Sequence, residues 1–303
     1  MRELKIPNKL VEELIEEDNP FPTVFSYLIE EIWTSKEKLS DYFEQEEKAK
    51  EFEKFLQDSY FELFTKELPK HTSEKLNVDF DDQKLVVLDM LSIREAVLLK
   101  KHLEDECYKV KLDYSFSAIP STTQAFKKRI DLPEKKKKYK FKKINNFQEF
   151  PLDGDEEFIW SSFPDKWLES IQEGKKVLNN QENVYKDTEK HLDEILNQIE
   201  GDELVITSDH GYNVAKGAYQ FPLAHSDQKR IKDIMGNNRS IRDIEVDADK
   251  LVSAGFLIRY NGYLMAQSRN IWPIGGSYSV YQHGGASLME CITPKLKVKR
   301  GNK

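Results

Sequence analysis

Leu204-Val205-Ile206-Thr207-Ser208-Asp209-His210-Gly211 is the stretch on which the fold turns. Three aliphatic residues and a β-branched threonine form a short buried strand, which ends abruptly in an acid, an imidazole and a glycine. A helical pattern at about residues 183–199 leads into it. A second stretch has the same form: Lys84-Leu85-Val86-Val87-Leu88-Asp89, followed by helical spacing over residues 92–103. Residues 108–114 alternate as a strand, and Glu157-Phe158-Ile159-Trp160 is a further strand candidate. Strands separated by helices imply a mostly parallel sheet with helices on both faces. Function in such sheets sits at the carboxyl ends of the strands, where Asp89 and Asp209 fall.

Outward from this core the texture changes. Residues 8–70 read as successive helices, broken at Asn19-Pro20 and Phe21-Pro22, with no glycine before Gly154. Residues 213–280 are less regular. They hold a basic helical piece, a helix at about 247–253 and a hairpin turning at Asn261-Gly262, and they read as an insertion or cap. The 303 residues carry a net charge of −8, with 33% charged and 39% hydrophobic side chains and a mean hydropathy of −0.67. No apolar run reaches the ~18 residues of a membrane span, and Met1-Arg2-Glu3-Leu4-Lys5 opens no apolar leader. The expectation is a cytoplasmic chain without a membrane segment. Cys107 and Cys291, the two cysteines, read as buried free thiols.

The acidic balance hides a local exception. Lys135-Lys136-Lys137-Lys138-Tyr139-Lys140-Phe141-Lys142-Lys143 is a basic run with two aromatics. It reads as a solvated loop or as a contact for a phosphate-rich ligand, through Lys135, Lys136, Lys137 and Lys138. Arg94 and His225 are further candidates for a phosphate contact.

Four segments together carry chemistry: Leu88-Asp89, Ile119-Pro120-Ser121-Thr122-Thr123-Gln124, Thr207-Ser208-Asp209-His210-Gly211 and Gln282-His283-Gly284-Gly285. They supply two carboxylates, two imidazoles and a hydroxyl. Carboxylate and imidazole suit zinc or manganese, and a hydroxyl becomes a nucleophile only when a metal or base activates it. A threonine in the first turn of a helix also sets its substrate near free backbone N–H groups.

At these residues the sequence resembles the PglZ domain, a branch of the alkaline-phosphatase superfamily, over about residues 80–295. The resemblance rests on the strand-end Asp89, on P-S-T-T, on T-S-D-H-G and on the closing H-G-G-A-S-L-M-E-C-I-T-P. It implies an α/β fold: a three-layer α/β/α domain with a mostly parallel central sheet over residues 81–303, carrying a cap at about 213–280 and preceded by an α-helical subdomain over residues 1–80. Superfamily members use a Ser or Thr nucleophile, usually beside two metals, on phosphate or sulfate esters. Some PglZ-family members are phosphodiesterases, and PglZ domains occur in phage-defence systems and fused to response-regulator receivers.

By that resemblance Thr123 is the nucleophile, with Thr122 as fallback. Asp89, Asp209 and His210 bind the metal that also holds Thr123, and His283 belongs to a second metal site. That second site normally takes an Asp-x-x-x-His pair. Asp165 offers the Asp, but Glu169 stands where His is expected, a departure that alters or empties the site. The implied cofactor is one or two Zn2+ ions, or Mn2+. The implied function is metal-dependent hydrolysis of a phosphodiester, nucleotide or oligonucleotide, with a signalling or defence protein as partner. The rivals are a non-catalytic PglZ-type scaffold and a phosphomonoesterase.

Overall fold

The computed structural model describes residues 6–73, 83–172, 180–216, 219, 221, 223–273 and 279–301. The expected boundary near residue 80 lies outside the described residues. The chain divides into two compact units: Lys75–Ala118 with Thr122–Tyr212 and Ile292–Lys303, and Met1–Glu74 with Ile119–Ser121 and Asn213–Cys291.

The first unit is built on a six-stranded sheet. Its strands run in the order Tyr108–Phe116, Ile292–Arg300, Glu203–Thr207, Lys84–Leu88, Phe158–Ser161, Phe141–Ile144. Pairing is parallel except along Ile292–Arg300, which is antiparallel to both its neighbours. Successive residues of Lys84–Leu88 face opposite sides, and Leu85, Val86, Val87 and Leu88 are all buried, so both faces are covered. On the face of Leu85 and Val87 lie Phe158, Trp160 and Val205, packed with Phe126, Ile130 and Leu132 from the helices Thr123–Arg129 and Leu132–Lys138. Helix Ile93–Asp105 packs on the strands Tyr108–Phe116 and Ile292–Arg300, and helix Gln181–Gln198 packs on that helix. The α/β class with a mostly parallel central sheet is therefore as the sequence implies.

Two local readings change, and one strand is new. The basic run is not a loop: Lys135 to Lys138 close the helix Leu132–Lys138, and Phe141–Ile144 is an edge strand. Ile292–Arg300 is a central strand, in which Ile292, Leu296 and Val298 are buried and Lys297 and Lys299 are exposed. Cys291 is buried, but Cys107 is exposed. Cys107 sits at φ +67° in the tight turn between helix Ile93–Asp105 and strand Tyr108–Phe116, where the chain reverses at the surface.

In the second unit the helices Asn8–Glu16, Phe21–Tyr27, Leu39–Phe43, Glu46–Ser59 and Leu68–Ser73 share one compact body with residues 213–291. The hairpin Leu257–Tyr260/Tyr263–Ala266 turns at Asn261 and Gly262, both at positive φ, and Ser240–Arg242 pairs with its second strand. Beneath it Leu251, Leu257, Leu264 and Trp272 pack with Ile231 and Met235 of helix His225–Met235. Buried ion pairs tie distant segments together. Arg269 bonds Glu46 and, at 2.9 Å, Glu53, while Arg239 bonds Glu290 at 2.8 Å. Among the described residues no helix is long and apolar enough to cross a membrane.

Candidate active site

Three neighbouring parallel strands deliver three acids to one end of the sheet. Asp89 directly follows Lys84–Leu88, Asp209 follows Glu203–Thr207 by one residue, and Asp165 opens the helix after Phe158–Ser161. The backbone holds them in register. The Asp89 N–H donates to the Ser161 carbonyl at 3.0 Å, and the Asp165 N–H donates to the Asp89 carbonyl at 3.1 Å. Thr123 is the first residue of helix Thr123–Arg129.

The side chains converge around Thr123. Its hydroxyl donates to Asp89 Oδ1 at 3.2 Å and lies 3.2 Å from His210 Nε2. Asp89 Oδ2 accepts from the Trp160 indole N–H at 3.3 Å. Asp209 Oδ1 accepts from the backbone N–H groups of Met90 and His210, at 3.1 and 3.0 Å. His210 Nδ1 lies 3.0 Å from the Gly211 carbonyl, which assigns its proton to Nδ1 and leaves the Nε2 lone pair facing Thr123. Asp209 Oδ2, 3.6 Å from His210 Nε2, is buried with no hydrogen-bond partner.

These residues fit a cation. An orphaned buried carboxylate oxygen is costly unless a proton or a metal meets it. Asp89, Asp209 and His210 each offer a ligand atom, all within 4.8 Å of one another, and the three residues are buried. Two oxygens and one imidazole nitrogen are a donor set for zinc or manganese. The electrostatics agree. Burial, with the Asp209 carboxylate beside it, pushes Asp89 up to about 7. Burial pushes Asp209 up as well. Asp165 is raised to about 8 by burial and then by the charges of Asp89, Glu169 and Asp209. Three carboxyls that resist losing protons together form a site that lacks positive charge.

The other candidates fall in different places. Asp165 Oδ1 is buried and unpartnered, and Glu169 is exposed on the same helix, close enough to act on Asp165 through its charge. Neither belongs to the group that lies within 4.8 Å. Thr122 is the N-cap of helix Thr123–Arg129, its oxygen accepting from the Ala125 N–H at 3.2 Å. The cap occupies the fallback hydroxyl and leaves Thr123 facing the acids. Arg94 is fully buried: its guanidinium donates to the Tyr212 carbonyl at 2.7 Å and stacks 4.3 Å from that ring. Arg94, a candidate for a phosphate contact, thus lies in the interior and not at the surface. Of the basic run, Lys135 and Lys138 lie over the Tyr139 ring and Lys137 faces Glu134.

In the second unit His225 is exposed at the start of its helix. His283 Nδ1 lies 3.3 Å from the Ser121 carbonyl. The two glycines after it have physical reasons. Gly284 adopts φ +105°, and a Cβ on Gly285 would come within 2.9 Å of the Ala266 carbonyl. Trp160, whose indole positions Asp89, was read only as a strand residue. Its signal was its register opposite Val87, which no sequence pattern shows.

Residues 158–298 match the family model described as the BREX system PglZ alkaline phosphatase-like domain. The "Alkaline phosphatase-like protein PglZ" of Bacillus cereus (strain H3081.97) is 23% identical over 134 residues, which make up 41% of this chain and 15% of that protein. The chain thus spans a small part of that relative's length. Among solved structures, the phosphonoacetate hydrolase of Sinorhizobium meliloti 1021, in complexes with phosphonoformate and with phosphonoacetate, is 14% identical. That overlap covers 49% of this chain and 47% of the hydrolase at a TM-score of 0.27. The family match takes in Asp165, Asp209, His210 and His283 and begins after Asp89 and Thr123. Residues 158–298 are thus similar to the PglZ family of alkaline-phosphatase-like domains, in line with the resemblance that the sequence motifs carry.

Proposed function

We propose that the chain is a metal-dependent phosphoesterase that cleaves a phosphodiester, with Thr123 as nucleophile. One observation carries this reading: a hydroxyl in the first turn of a helix sits 3.2 Å from both a raised carboxylate and an imidazole Nε2, beside an orphaned carboxylate oxygen. Asp89, Asp209, His210 and Thr123 would hold a Zn2+ or Mn2+ ion, and Asp165, with Glu169, would serve a second. A bound ion supplies Lewis acidity and lowers the pKa of a coordinated oxygen.

The residues then divide the work. Asp89 orients the Thr123 hydroxyl and accepts its proton, and the Trp160 indole fixes the other oxygen of Asp89. Thr123 Oγ1 attacks phosphorus, the bond to the leaving oxygen breaks, and a phosphothreonine forms. Water then cleaves the phosphorus bond to Thr123: Asp89 returns its proton to Thr123 Oγ1, the proton that water loses passes to solvent, and the leaving oxygen takes one from solvent.

Metal analysis of purified protein, beside hydrolysis of a chromogenic phosphodiester, tests the reading. Thr123→Ala should lower turnover by about three orders of magnitude or more. Absence of bound metal together with Thr123-independent turnover, or no turnover at all, overturns it in favour of a scaffold. Faster turnover of a monoester than of a diester assigns a phosphomonoesterase instead.

A further inference from the structure

We infer that Lys127, Lys136, Lys143 and Lys166 form a subsite for the non-scissile phosphates of a nucleic-acid strand; this rests on the hydrolase reading above and names its substrate class. Four elements, one for each lysine, bring them together. Lys127 lies one helical turn after Thr123, and its ammonium sits 5.0 Å from the centre of the Trp160 ring, the same indole that donates to Asp89. Lys143 is in register with Trp160 on the neighbouring strand and so shares that face of the sheet. Lys136, from helix Leu132–Lys138, lies 4.6 Å from the Phe141 ring, two residues before Lys143 on the same face. Lys166 follows Asp165 and donates to the Asn145 carbonyl at 2.8 Å.

The charges act on one another. Desolvation and the ammoniums of Lys127, Lys166 and Lys136 hold Lys143 below its usual range, while Asp89 pulls it the other way. Trp160 joins Asp89 to the cluster: its indole N–H donates to Asp89 Oδ2, and its ring lies under Lys127. Among the described residues none of the four ammoniums is in an ion pair with a carboxylate. Like charges gathered without counter-charge destabilise a fold until an anion offsets them.

Extent argues for a strand rather than a single phosphate. Residues 127–143 hold ten basic and two acidic side chains, +8 net, in a chain whose total is −8. One nucleotide cannot neutralise that surface, whereas a strand can place successive phosphates along it. The rings nearby are occupied: Phe141 packs edge-on against Phe158 at 5.1 Å. Recognition is thus of the phosphate backbone rather than of stacked bases.

Equilibrium binding of a short fluorescent oligothymidylate to zinc-supplemented Thr123→Ala protein tests the inference without turnover. Replacing Lys127, Lys143 and Lys166 by Gln should weaken binding about ten-fold or more and lower the slope of log K against log salt by about 2, at ~0.7 per phosphate contact. The same three positions as Arg should restore both, which excludes a folding defect. Lys111→Gln, on the opposite edge strand, should change neither. Unchanged affinity and slope in the Gln variant, or an equal loss in Lys111→Gln, overturns the subsite. An equal loss for thymidine 5′-phosphate overturns the strand in favour of a lone nucleotide. If chromogenic diesters are not hydrolysed yet the Gln variant loses oligothymidylate, the subsite stands and the hydrolase reading falls.

Discussion

Thr122 and Thr123 are the same residue in adjacent positions with different fates. The helix start decides between them: the N-cap oxygen turns back to the Ala125 N–H, and the next side chain points on toward Asp89 and His210. Thr122→Ala is expected to cost about 1 kcal/mol by loss of the cap and to retain turnover, while Thr123→Ala keeps the stability and loses the turnover. Denaturant melts beside diester kinetics separate the two. The acids give a second prediction. Asp89 and Asp165, raised to about 7 and about 8, bind protons more tightly folded than unfolded. Their stabilising contribution is full at low pH and is lost as pH rises through that range. Chelator-treated protein should therefore melt at lower temperature as pH goes from about 6 to about 9, and added Zn2+ should reverse the fall. A flat profile, or one indifferent to metal, contradicts the site.

At the scale of elements, helix Gln181–Gln198 is keyed to strand Phe158–Ser161 by one contact. His191 Nε2 lies 2.7 Å from Ser161 Oγ, ringed by Phe147, Phe150, Phe163 and Trp167 at 4.8–6.0 Å. Burial lowers His191 to about 4. A depressed imidazole contributes stability above its unfolded pKa of ~6.5, and that contribution is lost as pH falls toward 4. Roughly 3 kcal/mol should go between pH ~7 and ~4, measured by urea denaturation, and His191→Gln should remove that slope. The antiparallel strand Ile292–Arg300 makes the other test. Leu296 is fully buried between Leu112 and Ile206, so Leu296→Ala should cost about 2–5 kcal/mol in the same assay. The alternation of buried and exposed residues in Ile292 to Arg300 was readable as a strand. Its place in the middle of a parallel sheet was not, because alternation fixes a face and not a neighbour.

Across the whole molecule, charge is the property that sequence totals describe least. Glu46, Glu53 and Arg269 are more than two hundred residues apart in part, yet they form one buried network in the second unit. Replacing Arg269 by Met leaves two carboxylates buried without a cation and should cost about 3–5 kcal/mol, seen as a lowered midpoint in thermal melts. No change would show that the network does not hold helix Glu46–Ser59 to Arg269 and its neighbours.

The sequence alone determined the chemistry on offer and the class of fold. Apolar runs ending in Asp89 and in Asp209-His210, with helices between them, require a parallel sheet that gathers those ends, and this follows from local periodicity and chain direction. Tertiary structure decided the rest. It made Thr122 a helix cap and turned Thr123 toward Asp89 and His210, buried Arg94 against Tyr212, put Trp160 behind Asp89, and turned the basic run into a helix and an edge strand that hold Lys136 and Lys143. These outcomes depend on strand order, register and burial. Each is set by contacts between residues far apart in the chain, so no local pattern could carry them.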